Sequence, residues 1–164
     1  MRTPQRWLAL VVLFAAVSSQ AQGYAPPLPS AFTAEAAPLQ SRICGRMLFG
    51  LASTGSTAKK LSPDDVKRSS ALLLSGILHL NRTEQIFEKD KQRAHQLALQ
   101  LERGDKGEFA RVVSHCVKQT TELMRSGKVP REEMQRALSL TMTLMSPGGH
   151  ASAATGALSA QPRN

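Results

Sequence analysis

Two cysteines are the residues with the clearest capacity for chemistry in this chain. Cys44 and Cys116 are its only cysteines, and each falls on the apolar side of a predicted helix. In an oxidising compartment such a pair is expected to form a disulfide, which would contribute about 4 kcal/mol to stability by closing a loop of about 70 residues. Two alternatives stay open: separate buried thiols, or cysteines that ligate a metal or act in catalysis. Disulfide oxidoreductases normally carry the C-x-x-C spacing, which the chain lacks.

The histidines and serines show none of the spacings that metal binding or catalysis requires. His115 is next to Cys116, but consecutive side chains of a helix point about 100° apart, so the two would not ligate one ion. The other histidines are His79, His95 and His150, and no H-E-x-x-H, G-x-S-x-G or phosphate-binding loop occurs. We therefore predict no catalytic residue, no metal site and no cofactor, and we expect that the protein is not an enzyme.

A group of acidic residues occurs in the middle of the chain. Glu84, Glu88 and Asp90 lie close together, with Lys91 and Arg93 beside them. Because opposite charges three or four residues apart pair on a helix surface, we interpret this group as an ion-paired face rather than as catalytic carboxylates.

Two short motifs are interpreted as structural. Asn81-Arg82-Thr83 matches a glycosylation sequon, but Asn81 and Glu84 have capping-box spacing, so Asn81 is predicted to cap a helix. The tripeptide Arg103-Gly104-Asp105 matches an adhesion motif and is predicted to make a helix-ending turn.

The spacing of apolar residues predicts five helices that position these groups. The first runs from about Leu39 to Ala52 and is broken by the Ser/Thr/Gly-rich stretch 53–57. The second begins at Ser62, a good N-cap that is followed by proline. The third begins near Asn81, has a buried face that includes Phe87, and ends at the turn 103–107.

The fourth predicted helix has the cleanest pattern, with apolar residues from Phe109 to Met124 at i, i+3, i+4 and i+7. The fifth begins at Pro130, and its apolar face is predicted to consist of Met134, Ala137, Leu138, Met142 and Met145, with Leu144 at its edge and the polar Thr141 on the same face. No segment alternates as a strand would. We therefore predict an all-α fold: a compact bundle of about five helices, clipped by a disulfide.

The two ends of the chain differ from its helical middle. Arg2 and Arg6, the apolar run Trp7–Val17 and the small residues up to Ala21 have the pattern of a cleavable signal peptide over 1–21. The run has 11 residues, whereas a membrane span needs roughly 20, and no other run is long enough.

The Pro/Ala-rich segment 22–38 is predicted to be a disordered arm, 39–146 the helical domain, and 147–164 a disordered tail. We expect a periplasmic protein, with extracellular release as the alternative.

The chain is basic, with a formal net charge of +9, or +7 without residues 1–21, which hold two arginines and no acid. A basic surface favours anionic partners, so we expect another exported protein or an anionic envelope surface as the partner, and export disfavours nucleic acid. Two predicted loops, 53–61 and 103–107, supply the binding candidates Lys59, Lys60, Arg103 and Asp105.

The segment Cys44-Gly45-Arg46-Met47-Leu48-Phe49-Gly50-Leu51-Ala52 resembles the opening helix of small periplasmic immunity proteins that neutralise type VI secretion amidase effectors. Those proteins carry a signal peptide, are helical, and have a cysteine followed by glycine on an early helix and a second cysteine late in the chain. Cys116 would take that second role. The resemblance covers about nine residues and the overall layout, and it implies a non-enzymatic inhibitor that plugs a partner's active site.

The sequence thus leads to a non-enzymatic periplasmic binding or inhibitor protein, immunity-like, that acts by protein–protein contact. The alternative is an envelope accessory or chaperone-like protein whose fifth helix grips apolar client segments through Met134, Met142 and Met145, since methionine adapts to irregular surfaces. An enzyme of unrecognised type is the third hypothesis.

Overall fold

The computed structural model describes residues 26–56 and 62–146, which form six helices and no strand. In chain order these are α1 (Ser30–Thr33), α2 (Ala37–Ser56), α3 (Pro63–Arg82), α4 (Glu88–Arg103), α5 (Lys106–Arg125) and α6 (Arg131–Met145). The predicted all-α bundle is confirmed. Within the described ranges, no helix has both the length and the apolar character needed to cross a membrane. The predicted signal peptide and tail, with Lys59 and Lys60, lie outside the described residues.

The antiparallel helices α2 and α3 pack closely because each presents a glycine to the other. A Cβ atom at Gly45 would lie 2.8 Å from the Leu80 side chain, and one at Gly76 would lie 2.9 Å from the backbone nitrogen of Phe49. Real Cβ atoms essentially never approach this closely. The backbone opposite Gly76 cannot move aside, so that position needs a residue without a side chain, whereas a Cβ atom at Gly45 would require the Leu80 side chain to shift. The two glycines therefore bring Ser41 and Arg42 of α2 within reach of the end of α3.

The larger core cluster fills the space between α2, α4 and α5 and contains a disulfide. Cys44 on α2 and Cys116 on α5 are fully buried and bonded, with Cα atoms 5.3 Å apart and a sequence separation of 72. The predicted disulfide is confirmed, and the alternatives of free thiols or metal ligands are wrong because neither cysteine is free. The other buried members are Phe32, Leu39, Ile43, Met47, Leu48, Ala94, Ala98, Leu101 and Val112.

The smaller core cluster packs α6 against α3 and the end of α2. On α6 the buried residues are Ala137, Thr141 and Leu144, whereas Met142 is 71% exposed. The prediction that Met142 belongs to the buried face is therefore wrong. Thr141 and Leu144 are buried, and the Thr141 hydroxyl is satisfied because it donates to the carbonyl of Ala137 at 2.8 Å. The rest of the predicted face packs against this cluster through Met134, Ala137, Leu138 and Met145.

The described part of the predicted N-terminal arm is folded. Pro29 precedes α1, and its carbonyl accepts the backbone N–H of Phe32 at 3.0 Å. Phe32 is 1% exposed, and its ring meets the His115 ring edge-on at a centroid distance of 5.7 Å. One aromatic side chain thus anchors a segment whose composition predicts an extended arm, and the helical body begins before the predicted boundary at Leu39.

The junction between α3 and α4 also differs from the prediction. Asn81 lies in the last turn of α3, and α4 begins only at Glu88, so the prediction that Asn81 caps the third helix is wrong. The buried Thr83 ends α3 instead, because its hydroxyl donates to the carbonyl of His79 at 2.8 Å. Phe87 precedes α4 and is 75% exposed, so it is not part of a buried face.

Helix α2 continues to Ser56, beyond the end predicted at Ala52. The hydroxyls of Ser53 and Thr54 donate to carbonyls of the preceding turn, at 2.9 and 3.2 Å. Serine and threonine hydroxyls can bond to nearby backbone groups in non-helical conformations, which disfavours a helix. Here both hydroxyls bond to carbonyls of α2 itself, and the helix continues through the predicted break.

Two polar side chains fix the starts of α3 and α5. Ser62 accepts the backbone N–H of Asp65 at 3.2 Å, which confirms the predicted N-cap. Asp105 accepts the backbone N–H of Glu108 at 2.8 Å. The tripeptide that ends with Asp105 therefore forms the turn between α4 and α5, as the sequence predicts.

Candidate functional site

A buried polar network surrounds His79 next to the disulfide. His79 is 1% exposed, its Nδ1 atom lies 2.8 Å from Ser41 Oγ, and its Nε2 atom lies 3.1 Å from Thr120 Oγ1. Thr120 donates to the carbonyl of Cys116 at 3.1 Å, so its oxygen is left to accept the Nε2 proton. Nδ1 then accepts the Ser41 hydroxyl proton, and every member is satisfied with a neutral imidazole.

Burial is the largest cause that lowers the pKa of His79, although a bond to the carbonyl of Cys116 acts in the opposite direction. A hydroxyl that donates to a neutral imidazole is the arrangement by which a base activates a nucleophile. The second nitrogen here faces the Thr120 hydroxyl rather than a carboxylate, and neither Ser41 nor His79 lines the groove described next. We interpret the network as a structural link between α2, α3 and α5.

An open groove of about 210 Å³ crosses α2, α4 and the start of α5. Its walls carry the polar side chains of Arg46, His95 and Glu102, and Gly50 leaves a gap in the lining. The apolar lining residues are Met47, Phe49, Leu51, Ala98, Leu99 and Phe109. Pockets for drug-sized ligands are larger, roughly 300–1,000 Å³, so this groove fits one large side chain better than a cofactor.

One end of the groove is electropositive. Arg46 Nη2 donates to His95 Nδ1 at 2.8 Å, and Arg46 forms none of the ion pairs among the described residues. Arg42 lies one turn earlier, outside the groove lining; burial lowers its pKa and the neighbouring Arg46 lowers it further, whereas Glu88 and Glu84 act in the opposite direction. Glu102 follows His95 by seven residues on α4, which places it about 10 Å further along the helix. The groove therefore carries opposite charges towards its two ends.

The binding residues that the sequence predicts do not meet at this groove. Asp105 caps α5, and Arg103 is the last residue of α4. Arg103 lines a separate shallow depression that shares only Leu99 with the groove. Lys59 and Lys60 lie outside the described residues.

The predicted ion-paired face is present in part. Lys91 Nζ lies 3.4 Å from Glu88 Oε2, but Arg93 pairs with Glu35 at 2.7 Å instead of with its neighbours. The second pair ties α4 to the segment between α1 and α2, so it contributes to the folded N-terminal segment.

The groove residues were missed by the sequence analysis because they come from distant parts of the chain. Arg46 and His95 are 49 residues apart, and no local pattern shows that their helices are neighbours. The available signal was Gly50, a glycine inside a predicted helix, where it costs about 1 kcal/mol relative to alanine. Such a residue suggests a packing or functional reason.

No protein family model, no curated protein and no solved structure matches this chain. Within residues 26–56 and 62–146, no group of three or more His, Cys, Asp or Glu side chains could hold a metal ion. The groove and its charged rim are thus the features from which a function is inferred.

Proposed function

We propose that this protein is an exported, non-enzymatic binding protein that acts by contact with another protein. The observation that carries the proposal is the groove across α2, α4 and α5, which combines an apolar lining with charged side chains at its rim. Binding sites for protein segments have this composition, because an apolar anchor supplies affinity and polar groups at the edge supply orientation. The disulfide, which joins α2 to α5, holds two walls of the groove in place.

Export is supported by two independent observations. The first is the signal-peptide pattern of residues 1–21. The second is the buried disulfide, a bond that persists in oxidising compartments and is rare in the cytosol. The periplasm is the compartment we propose, with extracellular release as the alternative.

A narrower form of the proposal is an immunity-like inhibitor. The segment Cys44–Ala52 carries the resemblance to immunity proteins, and five of its nine residues line the groove: Arg46, Met47, Phe49, Gly50 and Leu51. If the resemblance reflects a shared role, the groove is the surface that meets the effector.

The alternative, a chaperone-like protein, is favoured by a different surface. Met142 and Leu140 on α6 are 71% and 44% exposed. The two side chains are two residues apart and so project from different sides of α6, and the exposed, adaptable methionine is the one that could contact apolar client segments. This surface is formed by α6 and is separate from the groove.

Affinity capture from an envelope extract tests the two functions. The bait is the protein as purified after secretion, with a Leu140→Gln/Met142→Gln variant as the matched control. A binding protein should retain one partner that forms a stoichiometric complex when both are purified, and the α6 variant should retain it equally well. Many weakly held proteins that are lost with the α6 variant would establish the chaperone instead. Recovery of no partner by either bait would contradict both functions.

The basic charge requires one further control. Vesicles with anionic headgroups should bind the secreted protein only at low ionic strength if its net charge, +7 without residues 1–21, acts as a diffuse field. Binding to vesicles that survives physiological salt would mean that the partner is the envelope surface rather than a protein.

A further inference from the structure

We infer that the groove binds an acidic segment of the partner protein, with one apolar side chain of that segment placed over Gly50 and a carboxylate on Arg46. This inference rests on the proposed function and specifies its partner. It commits to a peptide segment because the groove, at about 210 Å³, holds one side chain and is open along its length.

Gly50 is the first reason, because it differs from the other glycines of the α2–α3 pair. Gly45 and Gly76 permit close packing, since a Cβ atom at either would be within 3.0 Å of the opposite helix. A Cβ atom at Gly50 would meet nothing within 4 Å, although Gly50 is inside α2. The fold does not need a glycine there, and the space beside it is open to the groove, so a large residue at this position would project into the volume that a bound side chain would fill.

Arg46 is the second reason. Its guanidinium donates one N–H to His95 Nδ1 at 2.8 Å, and within the described part of the chain it has no carboxylate partner. The guanidinium has five N–H donors, so enough remain for a bidentate contact with a carboxylate. His95 holds the guanidinium at the groove, which reduces the entropy lost when an anion binds.

The distribution of charge sets the direction of the bound segment. Arg46 lies beside His95 in the lining, and Glu102, also in the lining, lies about 10 Å further along α4 than His95. An acidic residue is therefore attracted to the Arg46 end and repelled from the Glu102 end. The segment should carry its acidic residue on one side of the apolar anchor and a neutral or basic residue on the other.

Two synthetic peptides test the recognition without knowledge of the partner. The probes are acetyl-Glu-Glu-Leu-Gly-Lys-amide and its charge-exchanged counterpart acetyl-Lys-Lys-Leu-Gly-Glu-amide, titrated into the ¹⁵N-labelled secreted protein. The acidic-first peptide should shift the amide signals of Arg46, Gly50 and Leu99, and the counterpart should bind at least about tenfold more weakly. Equal binding of both peptides, or shifts only outside the groove, would overturn the inference.

Matched variants test the two residues that carry the argument. Gly50→Phe fills the groove and should abolish the peptide-induced shifts, whereas Gly50→Ala should bind within about twofold of the wild type. Arg46→Gln should weaken binding by about tenfold, while Arg136→Gln, which removes the same charge from exposed α6, should have no effect. If Gly50→Phe does not fold, Arg46→Gln against Arg136→Gln decides the question, and equal affinities of those two variants would overturn the inference.

The outcomes separate this inference from the proposed function. If Gly50→Phe captures the same partner as well as the wild type does, the proposed function stands, but the groove is not the binding site for that partner, which overturns the inference. Recovery of no partner would contradict the proposed function, and the peptide titration would still decide the specificity of the groove. A concentration-dependent dimer that Gly50→Phe prevents would show that a second copy occupies the groove, which also overturns the inference.

Discussion

The neutral imidazole of His79 makes the stability of the protein depend on pH. Burial lowers its pKa below the ordinary value of 6.5, so the unfolded chain binds a proton more readily than the folded chain does. This contribution to stability is fully present above about pH 6.5 and is lost as the pH falls towards the folded-state pKa. We predict that the free energy of unfolding falls below pH 6.5 by up to about 1.4 kcal/mol per pH unit, measured by urea titration.

Two histidine variants identify the source of this pH dependence. His79→Gln should flatten the profile between pH 7.5 and 5, whatever its effect on stability at neutral pH. His115→Gln should flatten it less, because His115 is only partly buried, although burial also lowers its pKa and Lys118 adds to that shift. An unchanged slope in His79→Gln would mean that the folded protein admits a proton to this imidazole.

The role of His79 was not predictable from the sequence, whereas that of the cysteines was. The cysteine pairing was predicted from two apolar helix faces and from a signal-peptide pattern, both of which are local features, and the bond is present. His79 is bonded to Ser41 and Thr120, which are 38 and 41 residues away. Such a network depends on which helices are neighbours, and apolar spacing predicts that a face is buried without specifying its partner.

The glycines of α2 and α3 should respond to alanine with opposite signs. Gly76→Ala should destabilise the protein by about 1–3 kcal/mol, because the added Cβ meets the backbone of Phe49, which cannot move aside. Gly45→Ala should cost less, since its nearest contact is the Leu80 side chain. Gly50→Ala should stabilise by about 0.5–1 kcal/mol, because it adds a methyl group in open space to a helix.

Urea unfolding of the three single variants measures this order. All three changes add the same methyl group to a helix, so each serves as a control for the others. A loss of stability in Gly50→Ala as large as that in Gly76→Ala would contradict the open surface at Gly50.

At the scale of elements, α6 shows which features of a helix the spacing of apolar residues predicts correctly. The sequence predicts the helix and its start, and the structure confirms both, since α6 spans Arg131–Met145. Most of the predicted face packs against the core, but Met142 is exposed, and Thr141 is buried with its hydroxyl bonded to the carbonyl of Ala137. Hydropathy treats a threonine as polar, although its hydroxyl can be satisfied inside its own helix.

We predict that the two apolar residues near the end of α6 differ in their contribution to stability. Leu144→Ala should cost about 2–4 kcal/mol, because Leu144 is 3% exposed in the smaller core cluster. Met142→Gln should change stability by less than about 0.5 kcal/mol, because Met142 is 71% exposed. Thermal unfolding followed by circular dichroism measures the stability of both variants. A large loss of stability in Met142→Gln would indicate that Met142 is buried, as the sequence predicts.

The junctions between elements were predicted least well. The third helix was predicted to begin near Asn81 because Asn81 and Glu84 have capping-box spacing, yet Asn81 is inside the last turn of α3. A capping pattern indicates that a helix could begin, but the apolar residues up to Leu80 continue to pack against α2 and extend the preceding helix. Tertiary packing therefore outweighs a local signal that is worth about 1 kcal/mol.

At the scale of the whole molecule, the disulfide is the largest single constraint. It joins α2 to α5 across 72 residues, so we predict that Cys44→Ala/Cys116→Ala lowers the free energy of unfolding by about 4 kcal/mol. Reduction of the wild type should produce a similar loss, whereas the same reductant should leave the double variant unchanged. Thiol titration of the unfolded, unreduced protein should find no free thiol, and two titratable thiols would contradict the bond.

The fold class, the order of the five longer helices and the disulfide followed from the sequence, because each rests on local periodicity or on residue type. The folded N-terminal segment did not, since its position depends on one residue, Phe32, which reaches the core beside His115. The groove was not predictable from the sequence either, because His95 of α4 comes to lie beside Arg46 and Gly50 of α2 only when the two helices pack together.

The position of the disulfide divides the molecule into parts that can open separately. The bond encloses residues 44–116, whereas α6 follows the closed loop and is held by the smaller core cluster. Native-state hydrogen exchange should therefore find α6 opening at a lower free energy than Ile43 to Leu48 in α2. Reduction should accelerate exchange in α2 and leave α6 almost unchanged, because α6 can detach without opening the covalent ring. Under oxidising conditions the protein would thus keep its groove intact while its last helix exchanges with solvent.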